Sequence, residues 1–194
     1  MLRYYIVFNV EQCENIPPTL IPSVIAPLEH KDPIQECEFV VEDYKTCPTI
    51  QFGSEGASYV HVKDYIKMPF RERFISQKQF YATLFHELVH STGHESRLNR
   101  KEISESPDYE TDEYALEELV AEIGAGYLCS FAGIESATIQ QHAAYIKSWL
   151  QVFENDKKFI VHASSRAQKA VDYILNIDRG NHGTDIMPGQ HAGE

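Results

Sequence analysis

Residues Phe85–Arg100 have the sequence FHELVHSTGHESRLNR, in which His86, Glu87 and His90 form the pattern H-E-x-x-H. On an α-helix, residues four positions apart lie one above the other on the same face, so the two histidines can bind one zinc ion. Glu87 lies beside them, close enough to take a proton from a metal-bound water, which is the general-base role in zinc hydrolases. The alternative is an exposed helix turn with two solvated histidines.

The residues around this pattern predict a buried helix over about residues 77–92. Ser76 can cap it, Gln79 completes an S-x-x-Q capping box, and Gly93 supplies a stop. Apolar residues cover most of the remaining circumference: Tyr81, Leu84, Phe85, Leu88 and Val89. A helix that is apolar on most sides is buried, so its polar face must meet a partner or a cavity. This pattern favours the metal site over the exposed turn.

A catalytic zinc site normally takes three protein ligands and leaves the fourth position to water, so a third ligand is needed. His94 is the nearest candidate, although it lies just past the predicted helix stop at Gly93. Metzincins extend the motif as H-E-x-x-H-x-x-G-x-x-H, and Ser96 occupies the position of their last histidine. His94 therefore stays an alternative ligand or a loop residue near the site.

A second predicted helix, from about residue 111 to 132, supplies further carboxylates. Glu118 and Glu122 lie four residues apart among alanines, on a surface that another helix can approach closely. Ten acidic residues and no Lys or Arg lie between Lys101 and Lys147. A bound cation would compensate the repulsion among these carboxylates.

We predict that Glu118 is the third metal ligand. Glu122 would then accept a hydrogen bond from the other ring nitrogen of His86 or His90 and so orient that ligand. The reverse assignment of the two glutamates stays open, and the alternative for both is a solvated acidic face.

Other residues are weaker candidates for contact with a substrate. Tyr109 or Tyr114 could donate a hydrogen bond to a tetrahedral oxyanion, and His142 could act near the metal. Each of the three has a packing role as its alternative. The stretch ASYVHVKDYIKMP, residues 57–69, could be an edge strand that pairs with an extended peptide, or simply a structural strand.

The order of the predicted elements gives the fold class α+β. The first third of the chain has strand-like runs rich in Val, Ile, Phe and Tyr, and helical patterns begin at Ser76. Strands are predicted at residues 3–10, 36–44, 49–53 and 57–69, a short helix within 18–30, and helices at about 77–92, 111–132, 137–153 and 156–177. We expect an N-terminal β-sheet followed by about four helices, in a single domain over residues 1–177 with a flexible tail at 178–194.

The composition excludes several classes of protein. The net charge of −12 opposes a generic phosphate-binding surface, because affinity for nucleic acid comes largely from Lys and Arg. The four cysteines show no C-x-x-C spacing, so neither a zinc knuckle nor a disulfide framework is indicated. No apolar run approaches the roughly 18 residues of a membrane span, and no signal-peptide pattern opens the chain. We expect a cytoplasmic protein without membrane contact.

Five stretches follow one another along the chain: FNVEQCENIP, YATLFHELVHSTGHESRLNR, YALEELVAEIGAGYL, HAAYIKSWL and ASSRAQKAVDYI. Together they resemble the metallopeptidase domain of ArdC-type antirestriction proteins, a domain that also occurs in plasmid primases and phage polyvalent proteins. The similarity runs from about residue 3 to 177. It is far more specific than the H-E-x-x-H pattern alone.

The resemblance implies a zincin-like α+β domain whose metal site is His86, His90 and a glutamate of EELVAE, with Glu87 catalytic. Members of this family usually carry an upstream domain that binds single-stranded DNA. Nothing before Arg3 supplies such a domain, so we expect a fragment or an isolated domain that reaches single-stranded DNA only through the missing part.

These observations predict a zinc-dependent metallopeptidase with one Zn²⁺ per chain, which hydrolyses a peptide bond in a protein or peptide substrate. The alternative is a non-catalytic, metal-stabilised binding module whose acidic surface mimics DNA and acts on host DNA-processing enzymes. The sequence contains no marker of side-chain specificity, so the substrate stays open. Two histidines and a carboxylate also suit other divalent metals.

Overall fold

The computed structural model describes residue 17 and residues 33–101, 112–134 and 157–178, and its helices and strands lie in the compact unit that begins at Asp32. The described elements are α1 Pro33–Asp43, β1 Thr49–Phe52, β2 Ser58–Val60, β3 Tyr65–Met68, α2 Gln77–Ser91, α3 Asp112–Phe131 and α4 Lys157–Ile174. This composition of helices and a small sheet confirms the α+β fold class. None of the described helices has the length and apolar character needed to cross a membrane.

The sheet has β3 at its centre, with β1 parallel to it on one side and β2 antiparallel on the other. Ile66 and Met68 of β3 are completely buried and alternate with half-buried residues, as a strand with one face on the core requires. The predicted strand at 57–69 is therefore two strands. A 3₁₀ turn at His61–Lys63 and a left-handed residue, Asp64 at φ 47°, join them.

Residues 36–43 form most of α1, and Tyr44 directly follows it, so the prediction of a strand over 36–44 was wrong. Their Val, Phe and Tyr residues favour strands. However, Cys37, Val40 and Tyr44 are at most 2% exposed and recur with helical spacing, whereas Phe39 is 45% exposed. The 3.6-residue period of burial therefore outweighs the β propensity of the individual residues.

Helix α2, which carries His86, Glu87 and His90 and is called the metal-motif helix below, begins where the sequence predicts. The Ser76 side chain accepts a hydrogen bond from the Gln79 backbone N–H at 3.2 Å, and the Gln79 side chain accepts one from the Ile75 N–H at 3.1 Å. The predicted limits of α3 and α4 are also met to within a few residues, and Gly133 at φ 71° ends the turn after α3. The predicted strand at 3–10, the helices within 18–30 and at 137–153, and the tail from 179 lie outside the described residues.

Arg97, which follows α2, ties this helix to the sheet. Its buried guanidinium donates to the backbone oxygens of Ser91 at 2.7 Å and Thr46 at 3.3 Å, and to the Tyr59 hydroxyl at 3.2 Å. It also forms an ion pair with Asp64. One side chain thus connects the end of α2, the loop before β1 and the β2–β3 connection.

The two helices that carry the predicted metal ligands pack closely against each other. Gly124 of α3 faces Val89 of α2, and a Cβ atom built on Gly124 would lie only 2.8 Å from a Val89 methyl carbon. Only a glycine allows this approach, because side-chain atoms essentially never come so close. Gly126, two residues further on, has open space around the same position.

We expect Gly124→Ala to lower the free energy of unfolding by about 1–3 kcal/mol, because the added methyl group overpacks the contact with Val89. Gly126→Ala is the matched control and should raise it by about 0.5–1 kcal/mol, because alanine is the better helix former. Urea unfolding followed by circular dichroism measures both. Equal stabilities of the two variants would contradict the close packing of the helices. Val89→Ala should also be less destabilising in the Gly124→Ala background than in the wild type.

Candidate metal centre

Three side chains from α2 and α3 converge on one point. His86 Nε2 lies 3.0 Å from His90 Nε2, and these two nitrogens lie 3.5 and 3.4 Å from the two carboxylate oxygens of Glu118. All three ligand atoms fall within 4.8 Å of one another, and these residues are the group of His, Cys, Asp and Glu in the described part of the chain that could hold a metal ion. The i, i+4 spacing on α2 and one residue of α3 thus produce a single cluster.

The donor set fits a tetrahedral metal ion. Zinc binds histidine nitrogen and carboxylate oxygen at about 2.0–2.2 Å, which places neighbouring ligand atoms about 3.3–3.6 Å apart at a tetrahedral angle. The two nitrogens are 3.0 Å apart, and each lies 3.4–3.5 Å from a different oxygen of Glu118, so each of these separations is near this value. The three side chains are only 13–19% exposed, so a bound ion would sit in a largely desolvated site that still opens to water.

Negative charge surrounds His90. Burial disfavours its charged form, but hydrogen bonds and charge from Glu117 and Glu118 outweigh burial and raise the pKa of His90 to about 10. Burial also opposes ionisation of Glu118, but hydrogen bonds from His86 and His90 outweigh it and lower the pKa of that carboxyl. The cluster therefore favours a positive charge at its centre.

Glu117 contacts the opposite side of His90. Its Oε1 lies 3.1 Å from His90 Nδ1, and Arg100 binds both of its carboxylate oxygens, with Nε at 2.8 Å and Nη2 at 2.7 Å. Glu117 is 4% exposed and Arg100 is 8% exposed. Burial raises the pKa of Glu117, but the charge of Arg100 and its hydrogen bonds outweigh this effect and lower it.

Glu117 enters the sequence prediction only as one of the three glutamates of EELVAE, and Arg100 does not enter it. Helix geometry rotates Glu117 about 100° from Glu118, so the face that carries Glu118 and Glu122 does not include it. Two consecutive residues of α3 nevertheless reach His90, because its two ring nitrogens point in different directions. The sequence signal that could have indicated Arg100 is its position directly before Lys101 and the long acidic stretch without Lys or Arg.

The structure places the other predicted residues as follows. Glu87 is 7% exposed on α2, next to His86. His94 lies in the turns after α2, where its Nδ1 is 2.8 Å from Ser96 Oγ and its ring centroid is 5.3 Å from that of His61. His94 is therefore not among the three residues that converge at the centre of the site.

Glu122 and Tyr114 both lie on α3. Glu122 is 6% exposed, one turn after Glu118, and Tyr114 is half-buried in the first turn. Tyr109 and His142 lie outside the described residues. The roles predicted for these four residues stay predictions.

Comparison with known proteins gives this arrangement a context. The family model of zincin-like metallopeptidases matches residues 38–166, a range that contains α2, α3 and most of α4. The chain belongs to this family. This zincin-like domain thus has the fold class that the sequence resemblance implied.

Two solved structures share the zincin-like domain. Both are crystal structures of the antirestriction protein ArdC from plasmid R388, one bound to Mn(II) and one metal-free. The Mn(II)-bound structure has a TM-score of 0.58 and 39% sequence identity, and the match covers 75% of this chain and 52% of the ArdC chain. The metal-free structure has the same TM-score of 0.58 at 35% identity, over 87% of this chain and 58% of that chain.

Curated relatives extend well beyond the zincin-like domain. DNA primase TraC of Escherichia coli is 34% identical over 178 residues, which are 89% of this chain but 15% of the primase. Protein y4eC of Sinorhizobium fredii (strain NBRC 101917 / NGR234) is 28% identical over 176 residues, 89% of this chain and 53% of that protein. This chain thus spans from about a ninth to about half of the length of the curated relatives that it matches.

Proposed function

We propose that this chain is a zinc-dependent peptidase domain in which His86, His90 and Glu118 bind the metal and Glu87 is the catalytic base. The convergence of the two Nε2 atoms and the Glu118 carboxylate supports this proposal most directly. Membership in the zincin-like metallopeptidase family supports it as well. The Mn(II) ion in the related ArdC structure supports a divalent metal, and zinc is the ion that best suits a tetrahedral site of two histidines and a carboxylate.

The residues would divide the chemistry of peptide hydrolysis between them. Zinc, when bound, acts as a Lewis acid that activates the attacking water and polarises the scissile carbonyl. Glu87 takes one proton from that water and later gives it to the leaving amine as the C–N bond breaks. Tyr114, Tyr109 or His142 would donate a hydrogen bond to the oxyanion.

A peptide substrate would bind along β2. This strand lies at one edge of the sheet and contacts α2, so a peptide paired with it would run beside the helix that carries Glu87. Backbone hydrogen bonds to an edge strand provide affinity without requiring a particular side chain. Single-stranded DNA would be bound by another part of a longer protein, because the net charge of −12 opposes phosphate binding by this domain.

Metal content tests the ligand assignment. Elemental mass spectrometry on protein purified without added metal and without chelators should find about one zinc per wild-type chain. We expect Glu118→Ala to lose this zinc and Glu122→Ala to keep it, with circular dichroism confirming that both variants fold. Zinc lost only in Glu122→Ala would reverse the two assignments, and no metal in the wild type would overturn the proposed site.

The second candidate function is a metal-stabilised binding module that inhibits restriction enzymes without cleaving them. The strong net negative charge and the similarity to antirestriction ArdC favour it. Inhibition of a restriction endonuclease in a plasmid-cleavage assay distinguishes the two functions. Inhibition by the Glu87→Gln variant at wild-type level would support the binding module, and loss of inhibition in that variant would support proteolysis.

A further inference from the structure

A continuous series of contacts runs from Arg100 through Glu117 to His90 at the metal centre. Arg100 donates from Nε and Nη2 to the two oxygens of Glu117 at 2.8 and 2.7 Å, and Glu117 Oε1 lies 3.1 Å from His90 Nδ1. Arg100 and Glu117 are almost completely buried, which makes such charge-assisted hydrogen bonds strong.

The last turn of α2 holds Arg100 in place. Arg100 Nη1 donates to Thr92 Oγ1 at 2.6 Å and Nη2 donates to the Val89 backbone oxygen at 2.8 Å. The Thr92 hydroxyl in turn donates to the same Val89 oxygen at 2.7 Å. The guanidinium therefore has a fixed orientation, anchored on the helix that also carries His90.

The contact with Glu117 determines which nitrogen of His90 is available to a metal. A carboxylate can only accept hydrogen bonds, so the hydrogen shared with Glu117 belongs to Nδ1 of His90. In the neutral ring, the lone pair is then on Nε2, which is the nitrogen that faces His86 and Glu118. Without Glu117, the ring could rotate or adopt the other tautomer.

We propose that Glu117 and Arg100 are positioning residues: Glu117 fixes the tautomer and ring orientation of His90, and Arg100 fixes Glu117. This inference rests on the proposed metal site and deepens it. The sequence predicts that Glu122 orients His86 or His90. The contact at His90 Nδ1 instead assigns the orientation of His90 to Glu117. Consecutive glutamates of α3 thus act on the two sides of one imidazole, with Glu118 on the metal side and Glu117 on the far side.

Zinc affinity, measured by competition with a chromophoric chelator, tests this inference without any assay of activity. We expect Glu117→Gln to bind zinc about 10- to 100-fold more weakly than the wild type, because the amide no longer fits both Arg100 and His90. Arg100→Lys should weaken zinc binding by a smaller factor, because it keeps the charge but loses the paired hydrogen bonds. Glu113→Gln, an exposed position on the same helix, is the matched control and should leave the affinity unchanged.

The outcomes separate the inference from the proposed function. If the wild type binds zinc and Glu117→Gln binds it within twofold, the positioning role is wrong and the metal site stands. If the wild type binds no zinc, both are wrong. A role in structure alone would lower the folded fraction but not the affinity of the folded protein, so circular dichroism accompanies each titration. If Glu117→Gln does not fold, Glu117→Asp replaces it, and wild-type affinity in that shortened variant would overturn the inference.

Discussion

Glu87→Gln is expected to lower the rate of peptide hydrolysis by about 100- to 10,000-fold while the variant keeps its metal, because a glutamine cannot accept the proton of the attacking water. The exchange preserves the size of the side chain, and Glu87 is not one of the three residues that converge at the centre of the site. Metal content and catalysis should therefore separate in this variant. Glu118→Ala should instead lose both together.

An assay for this prediction needs no known substrate. A denatured proteome is incubated with each variant, and the new amino termini are labelled and counted by mass spectrometry. The wild type should generate new termini, and Glu87→Gln should generate none above background. Glu42→Gln, at an exposed position of α1, is the control and should match the wild type. Equal cleavage by wild type and Glu87→Gln would remove Glu87 from the mechanism.

Arg100→Met is expected to lower the free energy of unfolding by about 3–5 kcal/mol, because the buried Glu117 carboxylate loses the guanidinium that binds both of its oxygens. Methionine fills a similar volume, so the loss reflects charge and hydrogen bonding more than packing. Chemical denaturation in the presence of a chelator measures this effect without a contribution from bound metal. Arg73→Met, at an exposed position, is the control and should change stability by less than about 0.5 kcal/mol.

A double-mutant cycle identifies the cause of this loss. Adding Glu117→Gln to Arg100→Met removes the buried carboxylate charge that has lost its guanidinium partner, so the double variant should be more stable than Arg100→Met alone. Additive effects of the two substitutions would show that Arg100 does not act through Glu117.

The sequence predicts α2 well because several independent signals agree there. The Ser76 cap, the apolar circumference and the stop near Gly93 all indicate the same helix, and the structure shows it at Gln77–Ser91. The strand predicted over residues 36–44 failed because β propensity and a helical burial period conflict in that stretch. The helical spacing of Cys37 and Val40 outweighs their strand propensity only when the part of the protein that buries them is known.

The candidate site was predictable only in part for a similar reason. The spacing of His86 and His90 follows from the helix alone, and the need for a third ligand favours Glu118 but leaves Glu122 and His94 as alternatives. The contacts of Glu117 and Arg100 depend on how α2, α3 and the turns after α2 cross in space. Periodicity within one helix contains no information about such a crossing. Glu117 is rotated by about 100° from Glu118 around the axis of α3, so the sequence pattern alone does not place it at the site.

The contacts of Arg97 have a consequence for local opening of the fold. Because one guanidinium binds Ser91 at the end of α2 and Tyr59 and Asp64 at the β2–β3 hairpin, the hairpin cannot open without also releasing that helix end. Amide protons of the hairpin and of the last turn of α2 should then exchange with solvent deuterium as one cooperative unit. The edge strand and the end of the metal-motif helix would thus respond together to anything that binds either one.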